Sequence, residues 1–193
     1  MTVKQTNKRD DLIVAAKELL WERGYEGMSP KAVLAKSGAG QGSMYHHFDG
    51  KLDLAAKALD EVEIEMRAHF DTCLDPYRSP IKQLEAYLNM PKEALKGCRL
   101  GRFAFEQSIS DPVLNPIISR FFSHYEKHLA IACRKAKKTG DLPANIKPKD
   151  LAVLLVATVQ GGYVLSRIHQ DEAHFKKAIR GAKSVLKALS EVY

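Results

Sequence analysis

Cysteine is scarce in this chain: three residues among 193, an odd number and without the pairing of a metal knuckle. That usage suits a reducing compartment rather than a disulfide framework. The N-terminus lacks the positively charged start and apolar core of a signal peptide, and no segment supplies the roughly 20 apolar residues needed to cross a bilayer. The nearest, Leu151 to Leu165, is short and carries Gln160, Gly161 and Gly162, which predicts a helix buried by protein on several sides. A cytoplasmic protein is expected. Also missing are a nucleophile paired with a base, a glycine loop that cradles phosphate, and a carboxylate pair with an evident task. The acids around Asp60 to Glu65 read as the solvated side of a helix. No enzyme and no cofactor are expected.

Acidic residues are the minority charge, 23 against 30 Lys and Arg, for a net charge of +7. This suits an anionic partner, yet the first 51 residues hold eight Lys/Arg against six Asp/Glu. Much of the excess lies at Arg134 to Lys138 and Lys176 to Lys187, which read as solvated helix faces. Basicity alone therefore does not make the case for nucleic acid. Hydrophobic residues, 45% of the chain, suffice for a core.

What is present is most specific between Ser29 and Lys51. Ser29 before Pro30 is a helix start, since the serine oxygen accepts an orphan amide while proline presets the first helical φ. Val33, Leu34 and Ala35 give that helix an apolar face. Gly38 is the first residue able to close it in the left-handed conformation. A second short helix runs from about Gln41 to His47, with glycine and serine on one side and Met44, Tyr45 and Phe48 as its larger groups. Asp49-Gly50 forms a turn, Asp49 can cap the third helix, and Lys51 enters its first turn, well placed for a phosphate. Upstream, Leu12, Ile13, Ala16, Leu19 and Leu20 fall at helical spacing from Asp10 to Arg23, with Gly24 ending the run before Tyr25. Two short helices around a glycine turn, braced by an upstream one, have the layout of a helix-turn-helix.

These residues resemble the tetracycline-repressor-like (TetR/AcrR) family of bacterial transcription regulators. The resemblance is carried by Ile13-x-x-Ala16, Gly24-Tyr25, Val33-Leu34-Ala35, Ser37-Gly38, Gly42-Ser43-Met44-Tyr45-x-His47-Phe48 and Gly50-Lys51, in order and spacing over about fifty positions. Pro30 departs from it, standing where the family more often has threonine or a hydrophobic residue, as does Gly40, where serine or proline is common. The resemblance implies an all-α chain. Residues 1–51 would form a helix-turn-helix DNA-binding domain, and residues 52–193 a helical ligand-binding and dimerisation domain joined to it by a long helix.

The rest of the chain is read from its pattern. Leu52, Ala55, Leu59, Val62 and Met66 predict a long amphipathic helix to about Phe70, whose movement as a rigid rod would reposition the recognition helix. Asp75-Pro76 and Ser79-Pro80 break the chain. Helices are predicted near Pro80 to Ala94, Arg99 to Ser108 and Pro112 to Lys138, with a loop over Thr139 to Pro148 and two last helices over Lys149 to His169 and Glu172 to Val192. Phe175, Ile179, Ala182, Leu186, Leu189 and Tyr193 form a seam for lengthwise packing. Because the preceding helix is apolar almost all round, two such pairs from two subunits would make a four-helix interface. A twofold homodimer is expected; the alternative is a monomer that buries the same helices internally.

A dimer of such heads binds a palindrome-like operator in double-stranded DNA. Gln41 suits a bidentate pair with adenine, Ser43 suits either base type, and Gly42 lets the backbone come close. Ser29, Tyr45, His46, His47 and Lys51 suit phosphate contacts, although the rings of Tyr45 and His47 can instead pack on the first helix. Family resemblance further implies an unknown small-molecule inducer held in the body. Tyr87, Leu100, Phe103, Phe121, Tyr125 and Tyr163 are its candidate walls, or plain core, and Arg102 and Arg167 its candidate polar handles. Cys98, between Gly97 and Arg99, reads either as a thiol activated for electrophile or redox sensing or as a small buried residue. His124 and His128, four apart, can share a metal, but no further ligand stands at a telling spacing. A helical interaction protein without DNA binding completes the alternatives.

Overall fold

The computed structural model describes residues 7–191. They form eight α-helices, and no strand occurs among the described residues: α1 Lys8–Gly27, α2 Pro30–Ser37, α3 Gln41–His47, α4 Lys51–Asp71, α5 Pro80–Asn89, α6 Leu114–Lys138, α7 Pro148–His169 and α8 Ala173–Glu191. The chain makes two compact units, one from the segment ending at Ile64 with Arg99–Ser119, the other from Glu65–Cys98 with the segment from Arg120 onward.

In the first unit Asn7 caps α1 by accepting the Arg9 amide at 3.2 Å. Leu12, Ile13, Ala16, Leu19 and Leu20 are all buried, on the face their spacing predicts, and α1 packs against both α2 and α3. Gly24 interrupts α1 at φ 76, ψ −179 before a last turn to Gly27. The reason lies far downstream in the chain. Glu106 Oε2 accepts the Tyr25 amide at 2.8 Å and the Glu26 amide at 3.4 Å, while Glu26 Oε1 accepts the Gln107 amide at 3.0 Å. Arg102 donates to the Trp21 carbonyl and pairs with Glu106 at 3.5 Å. This clasp also explains a departure from expectation. The helix predicted over Arg99 to Ser108 is instead two 3-10 turns, Gly101–Phe105 and Gln107–Ser110, separated by Glu106 in an extended conformation.

The second unit is centred on rings. Phe70 stacks on Tyr125 at 4.0 Å between centroids, Phe121 lies 4.4 Å from Tyr125, and Tyr87 meets Tyr125 edge-on at 5.9 Å. Such pairs add about 0.5–1.5 kcal/mol each beyond burial, and the Tyr125 hydroxyl is satisfied by the Met66 carbonyl at 3.0 Å. α5 ends at Asn89 rather than Ala94. Met90 precedes Pro91 and is held extended (φ −50, ψ 135), as the residue before proline prefers. Beyond it Lys92 is largely buried. Its Nζ donates to the Tyr87 and Met90 carbonyls, both at 3.0 Å, and lies 5.4 and 5.9 Å from the ring centroids of Tyr87 and Phe175.

Burial is the main reason that the Lys92 ammonium is pushed down to about 8. A base whose folded value is depressed destabilises the fold while charged, and the deficit disappears as pH rises from that value toward the ordinary lysine range. Lys92→Met is therefore expected to gain stability relative to wild type at pH 7, with the advantage shrinking by about 3 kcal/mol toward pH 10.5. Urea unfolding of both proteins across that range checks it.

α7 and α8 form an antiparallel pair. Leu151, Ala152, Leu155, Val156 and Val159 are buried on α7, and Phe175, Ile179 and Leu186 on α8. The Phe175 amide donates to Ser166 Oγ at 2.9 Å, and a Cβ on Gly162 would stand 2.9 Å from the Phe175 ring. The predicted seam of α8 is thus taken up by α7 within the chain; its last member, Tyr193, and Val192 lie outside the described residues. α7 also corrects the membrane expectation. At 22 residues, with a mean hydropathy of 1.6 in its most apolar stretch, it is long and apolar enough to cross a bilayer by length and composition. Its burial is one-sided, however, and leaves Val153, Leu154, Val164, Leu165 and Ile168 exposed.

Candidate nucleic-acid interface

The interface is built by the first unit from the caps inward. Ser29 Oγ accepts the Ala32 amide at 3.2 Å and Pro30 opens α2. Gly38, at φ 65 and ψ 15, closes α2 with its amide on the Leu34 carbonyl at 3.0 Å. Two residues later Gly40 starts α3, and the turn is set by buried Ala39. α3 buries Met44 and is followed by buried Phe48. These two anchors fix its rotation, so the opposite side is dictated. Gln41, Gly42, Tyr45 and His46 are exposed, with Ser43 and His47 partly so. The exposed face is short-chained at its start, and a Cβ on Gly42 would meet nothing within 4 Å.

Six of the sequence-assigned DNA residues thus share α3. Tyr45 is 57% exposed; His47 turns an edge to Phe48, 6.3 Å between centroids. Ser29 stands apart at the head of α2, exposed. Lys51 opens α4, with its Nζ 4.2 Å from the Tyr25 ring centroid. That contact positions the ammonium and leaves it half-buried. The carboxylate closing this helix start is Asp53, whose Oδ2 accepts the Asp49 amide at 3.2 Å; the sequence pointed to Asp49.

Other charges on the unit have structural work. Lys36 bridges α2 to α1 through Glu18 at 2.7 Å and Glu22 at 3.5 Å, and the hydrogen bond to Glu18 pushes its titration upward. Lys31, exposed in the first turn of α2, makes no ion pair among the described residues. It is a cation that sequence reading left unassigned, since only the fold shows which lysines carboxylates occupy.

The residues assigned to an inducer divide between the units. Tyr87, Phe121 and Tyr125 meet in the aromatic cluster of the second, where Tyr163 lies 4.9 Å from Phe175 and Cys98 is 6% exposed. Burial raises the titration of Tyr87, Tyr125 and Tyr163 well above the usual phenol range, and it pushes the Cys133 thiol up to about 12. Leu100, Arg102 and Phe103 belong to the first unit, Leu100 and Phe103 buried and Arg102 engaged with Trp21 and Glu106. Clefts of the second unit include one of about 520 Å³ bordered by Cys73, Arg78, Lys82, Glu85, Asn89 and Met90 among others, and one of about 490 Å³ between α6 and α7. His124 Nε2 is bound to Asp71 Oδ1 at 2.8 Å and its ring lies 4.2 Å from that of His128. Among the described residues no group of three or more metal-type ligands gathers there or elsewhere.

The short helix and its brace match a known family. The model for bacterial regulatory proteins of the tetR family covers residues 12–58, and that for the C-terminal domain of tetracyclin repressor-like proteins covers 78–182. The chain belongs to the TetR family. Its curated relatives include the HTH-type transcriptional repressor DhaR of Mycobacterium sp. strain GP1, 26% identical over 170 residues and covered to 86% in both chains. The HTH-type transcriptional regulator LmrA of Bacillus subtilis is 26% identical over 167 residues, covering 83% of this chain and 86% of LmrA. Among solved structures, a TetR-family regulator from Agrobacterium tumefaciens superposes with a TM-score of 0.84 at 23% identity, over 95% of this chain and 97% of the other. One from Cytophaga hutchinsonii reaches 0.85 at 16% identity over the whole of both chains. The all-helical TetR fold, with its N-terminal helix-turn-helix, is therefore established. The chain is a DNA-binding transcriptional regulator and not an enzyme.

Proposed function

We propose that this TetR-family protein is a repressor that binds a twofold-symmetric operator as a homodimer in the cytoplasm and is released by a small-molecule inducer. The carrying observation is the division of α3: Met44, with Phe48 just beyond, is buried, whereas Gln41, Gly42, Tyr45 and His46 face outward. Placed in a major groove, Gln41 and Ser43 read base edges, with Gly42 admitting the backbone. Ser29, Tyr45, His46, His47 and Lys51 hold phosphates.

Dimerisation is supported by what α7 and α8 leave uncovered. Leu154, Ala157, Gly161, Leu165 and Ile168 run along α7, and Gly181, Ser184, Val185 and Ala188 along α8, all exposed. A continuous face of this kind, small on one helix and branched on the other, suits a second copy of the same pair.

The base and phosphate roles separate by mutation. Gln41→Ala is expected to relax preference at one operator position by roughly 1 to 3 kcal/mol. Lys51→Ala is expected to weaken binding on every sequence alike and to lower the salt slope by about 1. Fluorescence anisotropy on operator and random duplexes at several salt concentrations measures both. Uniform weakening by Gln41→Ala would remove it from the reading set.

A further inference from the structure

Lys51 is held in the first unit by a different means from Lys36. Carboxylates of Glu18 and Glu22 neutralise Lys36, whereas Lys51 makes no ion pair among the described residues and keeps its Nζ 4.2 Å from the centroid of the Tyr25 ring. A ring face attracts an ammonium through its quadrupole and leaves the full charge in place. A carboxylate would cancel it. The Lys51 ammonium, in the first turn of α4, is thus oriented and still able to meet a phosphate.

The Tyr25 ring is in turn fixed by a break in α1. In an unbroken helix the Tyr25 amide would donate to the Trp21 carbonyl, four residues back, but Gly24 between them adopts φ 76 and ψ −179. Two side chains take the separated partners. Arg102 donates to the Trp21 carbonyl, and Glu106 Oε2 accepts the Tyr25 amide at 2.8 Å and the Glu26 amide at 3.4 Å. Arg102 and Glu106 pair with each other at 3.5 Å, both side chains largely buried. A carboxylate accepting two amides beside a guanidinium forms charge-assisted bonds, which are shorter and stronger than neutral ones. Glu26 answers by accepting the Gln107 amide at 3.0 Å. The backbone that carries the Tyr25 ring is therefore held by Glu106, a residue 81 positions later in the chain.

We propose that Glu106 is a positioning residue for DNA binding: with Arg102 it bridges the break in α1, fixes the Tyr25 backbone, and through the Tyr25 ring holds the Lys51 ammonium where it meets a phosphate. This rests on the reading of Lys51 as a phosphate contact. Without its seat the lysine regains side-chain freedom that binding then has to remove. Because Glu106 acts on DNA only through Lys51, its effect vanishes when Lys51 is absent.

The test uses the full chain and fluorescence anisotropy on a selected operator and on a random duplex at several salt concentrations. Glu106→Ala, Tyr25→Leu and Glu106→Gln are each measured alone and together with Lys51→Ala. An ammonium on an exposed ring is worth a factor of about two to five, and two heads on one duplex raise this to about tenfold. Glu106→Ala and Tyr25→Leu are each expected to weaken binding to both duplexes by about tenfold, to lower the salt slope as Lys51→Ala does, and to add less than about twofold once Lys51 is Ala. Tyr25→Leu leaves the backbone bonds to Glu106 in place, so it carries the test even where Glu106→Ala loses its fold by circular dichroism. Glu106→Gln keeps an oxygen for the Tyr25 amide and is expected to stay within about threefold of wild type. Wild-type affinity in folded Glu106→Ala or in Tyr25→Leu, losses that persist undiminished in the Lys51→Ala background, or a Glu106→Gln loss as large as that of Glu106→Ala would overturn the relay. Wild-type affinity in Lys51→Ala itself would instead overturn the phosphate reading on which the relay rests, so the two fail separately.

Discussion

Gly24→Ala is expected to destabilise the protein by about 3–5 kcal/mol, far more than an ordinary glycine replacement. Two effects add. At φ 76 and ψ −179 the backbone lies where essentially only glycine goes, and forcing a Cβ there costs on the order of 1–3 kcal/mol. The new methyl would also overlap the Glu106 carboxylate, 2.7 Å from Oε2. Glu106 can swing away, but it then releases the Tyr25 amide it accepts at 2.8 Å, and an orphaned part-buried donor costs about 1–3 kcal/mol more. Gly38→Ala is the control. Its φ is also positive, 65, but a Cβ meets nothing within 4 Å, so about 1 kcal/mol is expected. Urea unfolding followed by circular dichroism compares them, and a Glu106→Ala background isolates the backbone contribution. A Gly24→Ala loss no larger than that of Gly38→Ala would show that the clasp does not constrain α1.

Leu165→Glu combined with Ile168→Glu is expected to give a folded monomer with roughly 100-fold or greater loss of operator affinity. Both side chains are exposed, Ile168 by 68%, so the substitutions leave each chain's core untouched. In a dimer the same positions would be buried, and two carboxylates per chain, facing their symmetry mates, have no counter-charge there. The loss in DNA binding arises because one α3 reads a single half-site. Joining two converts the second contact into an intramolecular one, worth about 10²–10⁴ in apparent affinity. Sedimentation velocity together with anisotropy checks both halves. A variant that still sediments as a dimer would place the interface elsewhere.

Local signals carried well from sequence to structure. Ser29-Pro30 and Gly38 bracket α2 as their capping chemistry requires, and the α1 spacing named the residues that are buried. The α3 boundaries come from the same logic. Signals that depend on distant partners were not legible. Gly24 looked like a helix stop, but its conformation is fixed by Glu106, and the same carboxylate turns the expected helix over Arg99 to Ser108 into two tight turns. Periodicity identified the α8 seam without revealing that α7 of the same chain fills it. Lys92 carried no mark at all in the sequence. A lysine after Met90-Pro91 reads as a surface residue, and only the packing of α5 and α8 shows it largely buried and without a carboxylate. At the DNA end, residue type picked out candidates on α3 that the fold leaves exposed or partly so, whereas which lysines are already committed to glutamates needed the fold.

The central claim is selective binding of symmetric DNA by a pair of α3 helices. Selecting duplexes from a random pool with the full-length protein, then weighing the complex on the recovered site by sedimentation equilibrium, tests it most directly. The expected result is a site with inverted half-sites about one helical turn apart, or a multiple of it, bound by an even number of chains, with affinity lost when Gln41 is replaced by Ala. Recovery of no common sequence, or of an asymmetric site bound by one chain, would contradict it.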